Sequence, residues 1–375
     1  MLVHLSKDSI VNALQRVSRA VSPTSPIPIL TGIKIEAREN EMMLTASNLS
    51  LTIQCTVSRN QSFSVIRAGG IVVPARYFSE GIRKLNTDLV TLEIKEHLML
   101  TVMSGHSRIR LCGMDPENFP VAVHHDHRPF NKLRINNALL KSTIKQVAAA
   151  ASTSEVRPVL TAVSVDCNND SLRFIATDGI RLASKTIPTE NNENNSSTKI
   201  LIPAKILNEV SKLLNNDDET IEIEIAGKQI RFTSKELQIE SALMEGTYPS
   251  IANVIPRSYS SEIIVDTAQL LHAVECVTVL AGEKTIKLVA SGDALELLSR
   301  TAEIGDVQDA VPLIQMSGDD FSIALNGKYF FEMLRYMDSE RVKIRFTGKD
   351  GPVVIIPEET ESAALFLITP VRTQN

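Results

Sequence analysis

The chain contains no tryptophan, and only five tyrosines and eleven phenylalanines among 375 residues. A core with so few large aromatics has to be built from Ile, Leu and Val, which suits strands and amphipathic helices. Cysteine is also scarce. Cys55, Cys112, Cys167 and Cys276 stand far apart, with no Cys-x-x-Cys pair among them. This usage argues against a disulfide framework or a finger-type zinc site. It fits buried apolar positions in a reducing compartment, so a cytoplasmic location is expected. No apolar run approaches the roughly 18–20 residues a membrane helix needs, and no membrane partner is expected. The opening residues Met1-Leu2-Val3-His4 lead into no basic stretch followed by an apolar segment, so no signal peptide is expected.

Catalytic signatures are missing as well. There is no Gly-x-x-x-x-Gly-Lys-Ser/Thr phosphate loop and no Gly-x-Ser-x-Gly nucleophile elbow. His124, His125, Asp126 and His127 have metal-ligating side chains, but no second cluster lies at metal-site spacing, and they read as a solvated connector. Asp217, Asp218 and Glu219 read as an acidic turn after a helix. A non-enzyme with no cofactor and no metal is expected.

What the chain does have is a long internal repeat. Arg76, Glu80 and Arg83 form a basic–acidic–basic pattern, repeated by Lys205, Glu209 and Lys212 and again by Lys328, Glu332 and Arg335. The steps between the first basic residues are 129 and 123. On a helix, residues seven apart share one face two turns away. A second helix repeats in register. Apolar residues at Ile10, Leu14, Val17 and Val21 recur at Leu140, Ile144, Val147 and Ala151, then at Leu270, Val274, Val277 and Ala281. A period near 125 in a chain of this length indicates three copies of one domain, too long a unit for a solenoid.

The net charge is −5, yet its distribution is uneven. The six expected helices, at 8–21, 75–85, 136–152, 203–214, 266–281 and 325–336, together carry +5 and leave −10 elsewhere. A basic helical surface on an acidic body can attract a polyanion to one face and repel it from the others. Arg76, Arg83, Lys141, Lys145, Lys205, Lys212, Lys328 and Arg335 are the candidates for that face. Ordinary solvated helix faces would give the same pattern, and charge alone does not separate the two.

Alternating segments at 30–37, 51–58, 90–95, 107–111, 160–167, 220–225 and 236–240 read as strands. The first two copies each close on an aromatic–proline pair, Phe119-Pro120 and Tyr248-Pro249. Each unit thus reads helix, strands, helix, strands, which is an α+β class with antiparallel sheet. The polar stretch His124–Pro129 and the segment near 255–261 mark the boundaries, giving domains at 1–123, 129–250 and 257–375. The polar tract 189–198 reads as a loop within the middle copy.

Four motifs carry a resemblance over essentially the whole chain: Ile27-Pro28-Ile29-Leu30-Thr31, Val73-Pro74-Ala75-Arg76, Ala176-Thr177-Asp178-Gly179-Ile180-Arg181-Leu182 and Pro370-Val371-Arg372. Together they resemble the bacterial DNA polymerase III β subunit family, the sliding clamps. The resemblance implies three repeated clamp domains per chain, each of two helices against antiparallel sheet, forming half of a ring. It implies a head-to-tail homodimer that encircles duplex DNA without sequence preference, with the eight basic residues facing the hole. It also implies non-catalytic tethering of DNA polymerase, clamp loader and repair proteins through short linear peptides. A ring-shaped interaction scaffold without a role in DNA replication is the alternative.

Carried over residue by residue, the resemblance places a peptide cleft at Leu160, Thr177, Gly179, Arg181, Leu182, Pro249, Val254, Asn326, Tyr329, Pro370, Val371 and Arg372. Of these, Arg181, Asn326, Tyr329 and Arg372 would direct the peptide and the apolar members would form the floor. It places subunit contacts at Ile109, Val279 and Leu280. Several positions depart from the family pattern. Thr24 stands where many clamps carry an arginine, Thr369 where a Met or Leu is usual, and Ile180 where a polar residue or His is common. The loop 281–286 is short and lacks an aromatic. These departures predict a divergent or second-copy clamp with an altered peptide preference.

Overall fold

The computed structural model describes residues 1–58, 63–95, 98–120, 131–168, 170–189, 198–215, 219–279, 285–301, 304–359 and 363–372. Within them lie six α-helices, two per repeat: α1 (Lys7–Val17), α2 (Ala75–Arg83), α3 (Asn137–Ala148), α4 (Ala204–Leu213), α5 (Thr267–Thr278) and α6 (Gly327–Arg335). Side chains cap the N-termini of α1, α5 and α6. Ser6 accepts from the Ser9 N–H, Asp266 from Gln269 and Asn326 from Tyr329. The expected stripes are buried at Ile10, Leu14 and Val17, at Leu140, Ile144 and Val147, and at Leu270, Val274 and Val277. Val21 and Ala151 lie beyond the helix ends, and Ala281 is outside the described residues.

Strands fill most of the remainder. At Leu30 and Leu160 the expected strands begin later than their alternation suggests. Short 3-10 turns at Pro28–Thr31 and Pro158–Thr161 come first, because a proline without an N–H starts each one and a threonine hydroxyl closes back on its carbonyl at 2.7 Å. The strands proper are Gly32–Ala37 and Ala162–Cys167.

The chain packs as two compact units. The first holds Met1–Asn136 together with the strands from Thr220 to Ala242. It contains a five-stranded sheet whose last strand is Ser107–Cys112, and an eight-stranded sheet. In the larger sheet Leu237–Ala242, from the second repeat, pairs with Leu51–Ser58, from the first, setting Ile239 opposite Ile53. Helix α1 packs on Leu51–Ser58 and against α2. The second unit contains a nine-stranded sheet and a four-stranded sheet whose last strand is Gly305–Pro312. There Arg181–Pro188, of the second repeat, pairs with Ala364–Ile368, of the third, setting Ala183 opposite Phe366. Helix α3 packs on Arg181–Pro188, and α5 on Gly305–Pro312.

The two joints share one register. Ile53, Ala183 and Val307 are matched by their hairpin partners Ala46, Ala176 and Ser299. Ile109, Ile239 and Phe366 are matched by Val102, Phe232 and Ile355. Equivalent residues therefore face each other at both joints. The third pair of such strands, Ser107–Cys112 and Gly305–Pro312, ends its sheets in the first and second unit respectively.

The hairpin turns before these joints also correspond. Asn48 Oδ1 accepts from Ser50 and Leu51, as Asp178 Oδ1 accepts from Ile180 and Arg181. The residue between is Leu49 at φ 72° in one turn and Gly179 at φ 92° in the other. A left-handed conformation costs an L-residue with a side chain about 1–2 kcal/mol. Leu49→Gly is accordingly expected to raise the thermal midpoint, and Gly179→Ala, which would touch nothing within 4 Å, to lower it through backbone strain alone. Paired thermal denaturation curves check both signs.

Candidate functional site

Each motif helix buries one face and exposes the other. On α2, Ala75, Phe78 and Ile82 are buried while Arg76 and Arg83 are exposed. On α4, Ile206, Leu207 and Val210 are buried while Lys205 and Lys212 are exposed. On α6, Phe330, Met333 and Leu334 are buried while Lys328 and Arg335 are exposed. Lys145 on α3 is exposed. Lys141 is half-buried and donates to the Leu214 carbonyl at 2.9 Å. In the second unit, Lys141, Lys145 and Arg335 line a shared concavity of about 270 Å³ beside Tyr336. Thr24 is exposed.

The expected cleft residues all belong to the second unit. Leu160 is buried with Ala162, Ile175, Leu201 and Tyr248. Leu182 is buried with Val354, Ile356 and Leu367. Ile251 packs against both clusters and joins them. A cavity of about 340 Å³ opens here, lined in part by Ile175, Tyr248, Pro249 and Ile251. Pro249 and Val254 are exposed, Pro370 and Val371 half-buried, and Arg372 exposed. The Val371 N–H donates to the Ala324 carbonyl at 2.8 Å, which holds the C-terminal segment beside the strand leading into α6. The strand alternation gave no sign of Ile251. Tyr248 stood in the recognised aromatic–proline pair without being assigned to the floor.

The polar members are engaged within the protein. The Thr177 hydroxyl donates to the Arg181 carbonyl at 2.6 Å, and its N–H donates to the Tyr248 hydroxyl at 2.9 Å. Asn326 caps α6. The Thr369 hydroxyl donates to the Ile180 carbonyl at 2.9 Å, as does its N–H, so this group is satisfied inside the fold. Arg181, expected to direct a peptide, is instead buried. Its Nε meets Asp178 at 3.1 Å, its Nη1 meets Glu332 at 2.5 Å, and the guanidinium lies 4.0 Å above the Tyr329 ring. A buried guanidinium needs such partners, and the sequence spacing gave no hint that Glu332 is one of them.

Of the residues expected at a subunit contact, Ile109 lies on the terminal strand Ser107–Cys112, with its side chain over Gly81 of α2. Val279 is 79% exposed at the end of α5. Leu280 is outside the described residues, as are the 281–284 part of the short loop and the histidine cluster at 124–127. Among the described residues no group of three or more His, Cys, Asp or Glu could hold a metal ion, and no helix is long and apolar enough to cross a membrane.

Burial pushes the Tyr248 phenol up to about 12, against its hydrogen bond with Thr177 and with Asp178 nearby adding to the rise. An unfolded chain ionises this group near about 10. The folded state therefore loses stability as pH climbs through that window and keeps it at lower pH. Tyr248→Phe should cost about 1–3 kcal/mol at neutral pH by stranding the Thr177 N–H. The gap from wild type should narrow from about pH 10 to 12, which chemical denaturation at several pH values would reveal.

Comparisons with known proteins agree over the whole chain. The family descriptions "DNA polymerase III beta subunit" match as N-terminal domain at 1–123, central domain at 134–250 and C-terminal domain at 252–372. Beta sliding clamps of Staphylococcus epidermidis and Staphylococcus aureus are each 33% identical over 98% of this chain and 98% of their own length. The crystal structure of the DNA polymerase sliding clamp from Bacillus subtilis superposes with a TM-score of 0.94 at 32% identity, covering 100% of both chains. A Pseudomonas aeruginosa clamp crystallised with griselimycin shares the fold, with a TM-score of 0.91 at 23% identity. With three clamp domains of mixed helices and antiparallel sheet, and a role in DNA replication rather than as a scaffold outside it, the chain belongs to the DNA polymerase III β subunit family of sliding clamps.

Proposed function

We propose that two copies of this chain close head to tail into a ring around duplex DNA, acting without catalysis in the cytoplasm. On this reading the domains are 1–123, 129–250 and 257–375. The basic helix faces line the hole, and the cleft of the second unit takes short linear peptides from DNA polymerase, clamp loader and repair proteins. The carrying observation is the common register of the two joints within the chain, which leaves one matching pair of strands at the ends of their sheets. An open edge invites pairing with another chain. Continuing the register sets Ile109 of one copy opposite Val307 of the other and Arg110 opposite Asp306. Pairing like edges would instead bring arginines against arginines, or aspartates against aspartates, which disfavours it. Two identical heterologous contacts close a C2 ring. Exposed Val279, on the helix packed beneath Gly305–Pro312, fits the same contact.

This assembly has a direct test. Arg110→Asp and Asp306→Arg should each weaken the dimer in sedimentation. Mixing the two variants should restore it, because both contacts of the mixed ring then pair opposite charges. Wild-type sedimentation of the single variants, or no recovery on mixing, would reject the register.

DNA contact is sequence-independent on this reading, since phosphate contacts position the protein without reporting base identity. A closed ring needs only weak attraction of this kind. Replacing Lys145, Lys205, Lys328 and Arg335 with glutamine should reduce salt-sensitive retention on closed circular DNA, flattening the log–log salt dependence by about 0.9 unit for each lost phosphate contact. An unchanged slope would remove the basic faces from the DNA contact.

A further inference from the structure

The acidic member of the repeated helix pattern has a different fate in the third copy. Glu80 pairs within its own helix with Arg76 at 3.2 Å, and Glu209 with Lys212 at 2.7 Å. Glu332 lies 4.0 Å from Lys328 in its own helix but 2.5 Å from Arg181 on the cleft hairpin. Arg181 also meets Asp178, and Tyr329 covers its guanidinium. The side chain of Arg181 retains only 9% exposure, and that of Glu332 keeps 30%. Two carboxylates thus face one guanidinium at the edge of the apolar floor. A third carboxylate brought by a ligand would meet an excess of negative charge in a partly desolvated place.

We infer that Glu332 sets the ligand preference of the cleft by occupying Arg181, so that the cleft selects peptides by their apolar anchor and gives no advantage to an acidic side chain beside it. This rests on the cleft reading proposed above. Glu332 is a positioning residue here, acting on the ligand through Arg181. Removing its charge while keeping its shape would leave the guanidinium with Asp178 alone and open it to a ligand carboxylate through a charge-assisted bond.

Fluorescence polarisation with labelled short peptides tests this. Each peptide carries one leucine anchor, and glutamine is exchanged for glutamate at each flanking position in turn. The wild-type protein should bind the glutamine forms at least as tightly as the glutamate forms. Glu332→Gln should reverse the order at one or more positions by about tenfold, with a gain that salt erodes. Glu332→Asp should keep the wild-type order, and Glu332→Ala provides the reversal independently if the glutamine variant is unstable. A general loosening of the cleft would weaken both peptide series alike and would not reverse their order. An unchanged order in both Glu332→Gln and Glu332→Ala overturns the inference while leaving the cleft in place. Failure of every peptide to bind the wild-type protein overturns the cleft reading, and the inference with it.

Discussion

The antiparallel joint between consecutive repeats is the constraint on which the rest of this structure depends. Each repeat ends one sheet with a strand whose backbone donors and acceptors need a partner, and each begins another sheet with the complementary edge. Within the chain this happens twice in the same register, Ile239 against Ile53 and Phe366 against Ala183. At the first joint the register is strongly specified because a slip of one residue would turn Ile53 out of the core and bring Thr52 or Gln54 in. The first helices of the first and second repeats pack on the joint strands Leu51–Ser58 and Arg181–Pro188, so helix placement and strand pairing fix one another there.

One position beside these central pairs differs in chemistry from joint to joint. In the joint of the second and third repeats it holds Leu182 opposite Leu367, and these two side chains belong to one buried apolar cluster. In the joint of the first and second repeats the same position holds Thr52 opposite Glu240. Around it lies a concavity of about 260 Å³ whose lining includes Lys34, Glu36, Gln54 and Gln238. At the terminal strands the equivalent positions hold Asp306 and Arg110. One register within the chain thus carries an apolar pair at one joint and a polar pair at the other. Apolar surface releases water on burial by an apolar anchor, whereas the polar concavity holds groups already bonded to each other, such as Gln238, which donates to Glu240 at 2.8 Å.

Local periodicity made the helices and their exposed basic faces legible in the sequence, because burial on a helix follows a 3.6-residue rule that needs no knowledge of partners. The alternating strands were legible for the same reason, apart from the proline-led turns at Pro28 and Pro158. The joints were not legible. Which edge strand meets which depends on contacts between residues about 185 positions apart, such as Ile53 with Ile239 and Ala183 with Phe366, and no local pattern encodes them. The resemblance singled out Arg181 as a ligand-directing residue, but nothing in the spacing announced that Asp178, Glu332 and Tyr329 would enclose it. Glu332 itself was read only as the acidic member of a stripe. Three helices with one charge pattern looked alike, and only the hairpin opposite α6 distinguishes the third.

The net charge of −5 conceals an uneven distribution of charge that would suit the topological hold on DNA proposed above. Many sheet acids are neutralised where they stand by cations on the same or neighbouring strands. Glu222 meets Lys132 at 2.9 Å, Glu224 meets Arg231 at 3.1 Å and Glu262 meets Arg345 at 2.6 Å. Such close pairs project little field beyond a Debye length of about 8 Å in physiological salt. Arg83, Lys145, Lys205 and Arg335 instead stand on exposed helix faces, where their fields can add toward a polyanion. Strong attraction would arrest sliding, and a net positive chain would gather nucleic acid on every surface. On the ring reading proposed above, a few exposed cations on chosen helix faces would provide attraction weak enough to slide and confined enough to act from inside a closed ring.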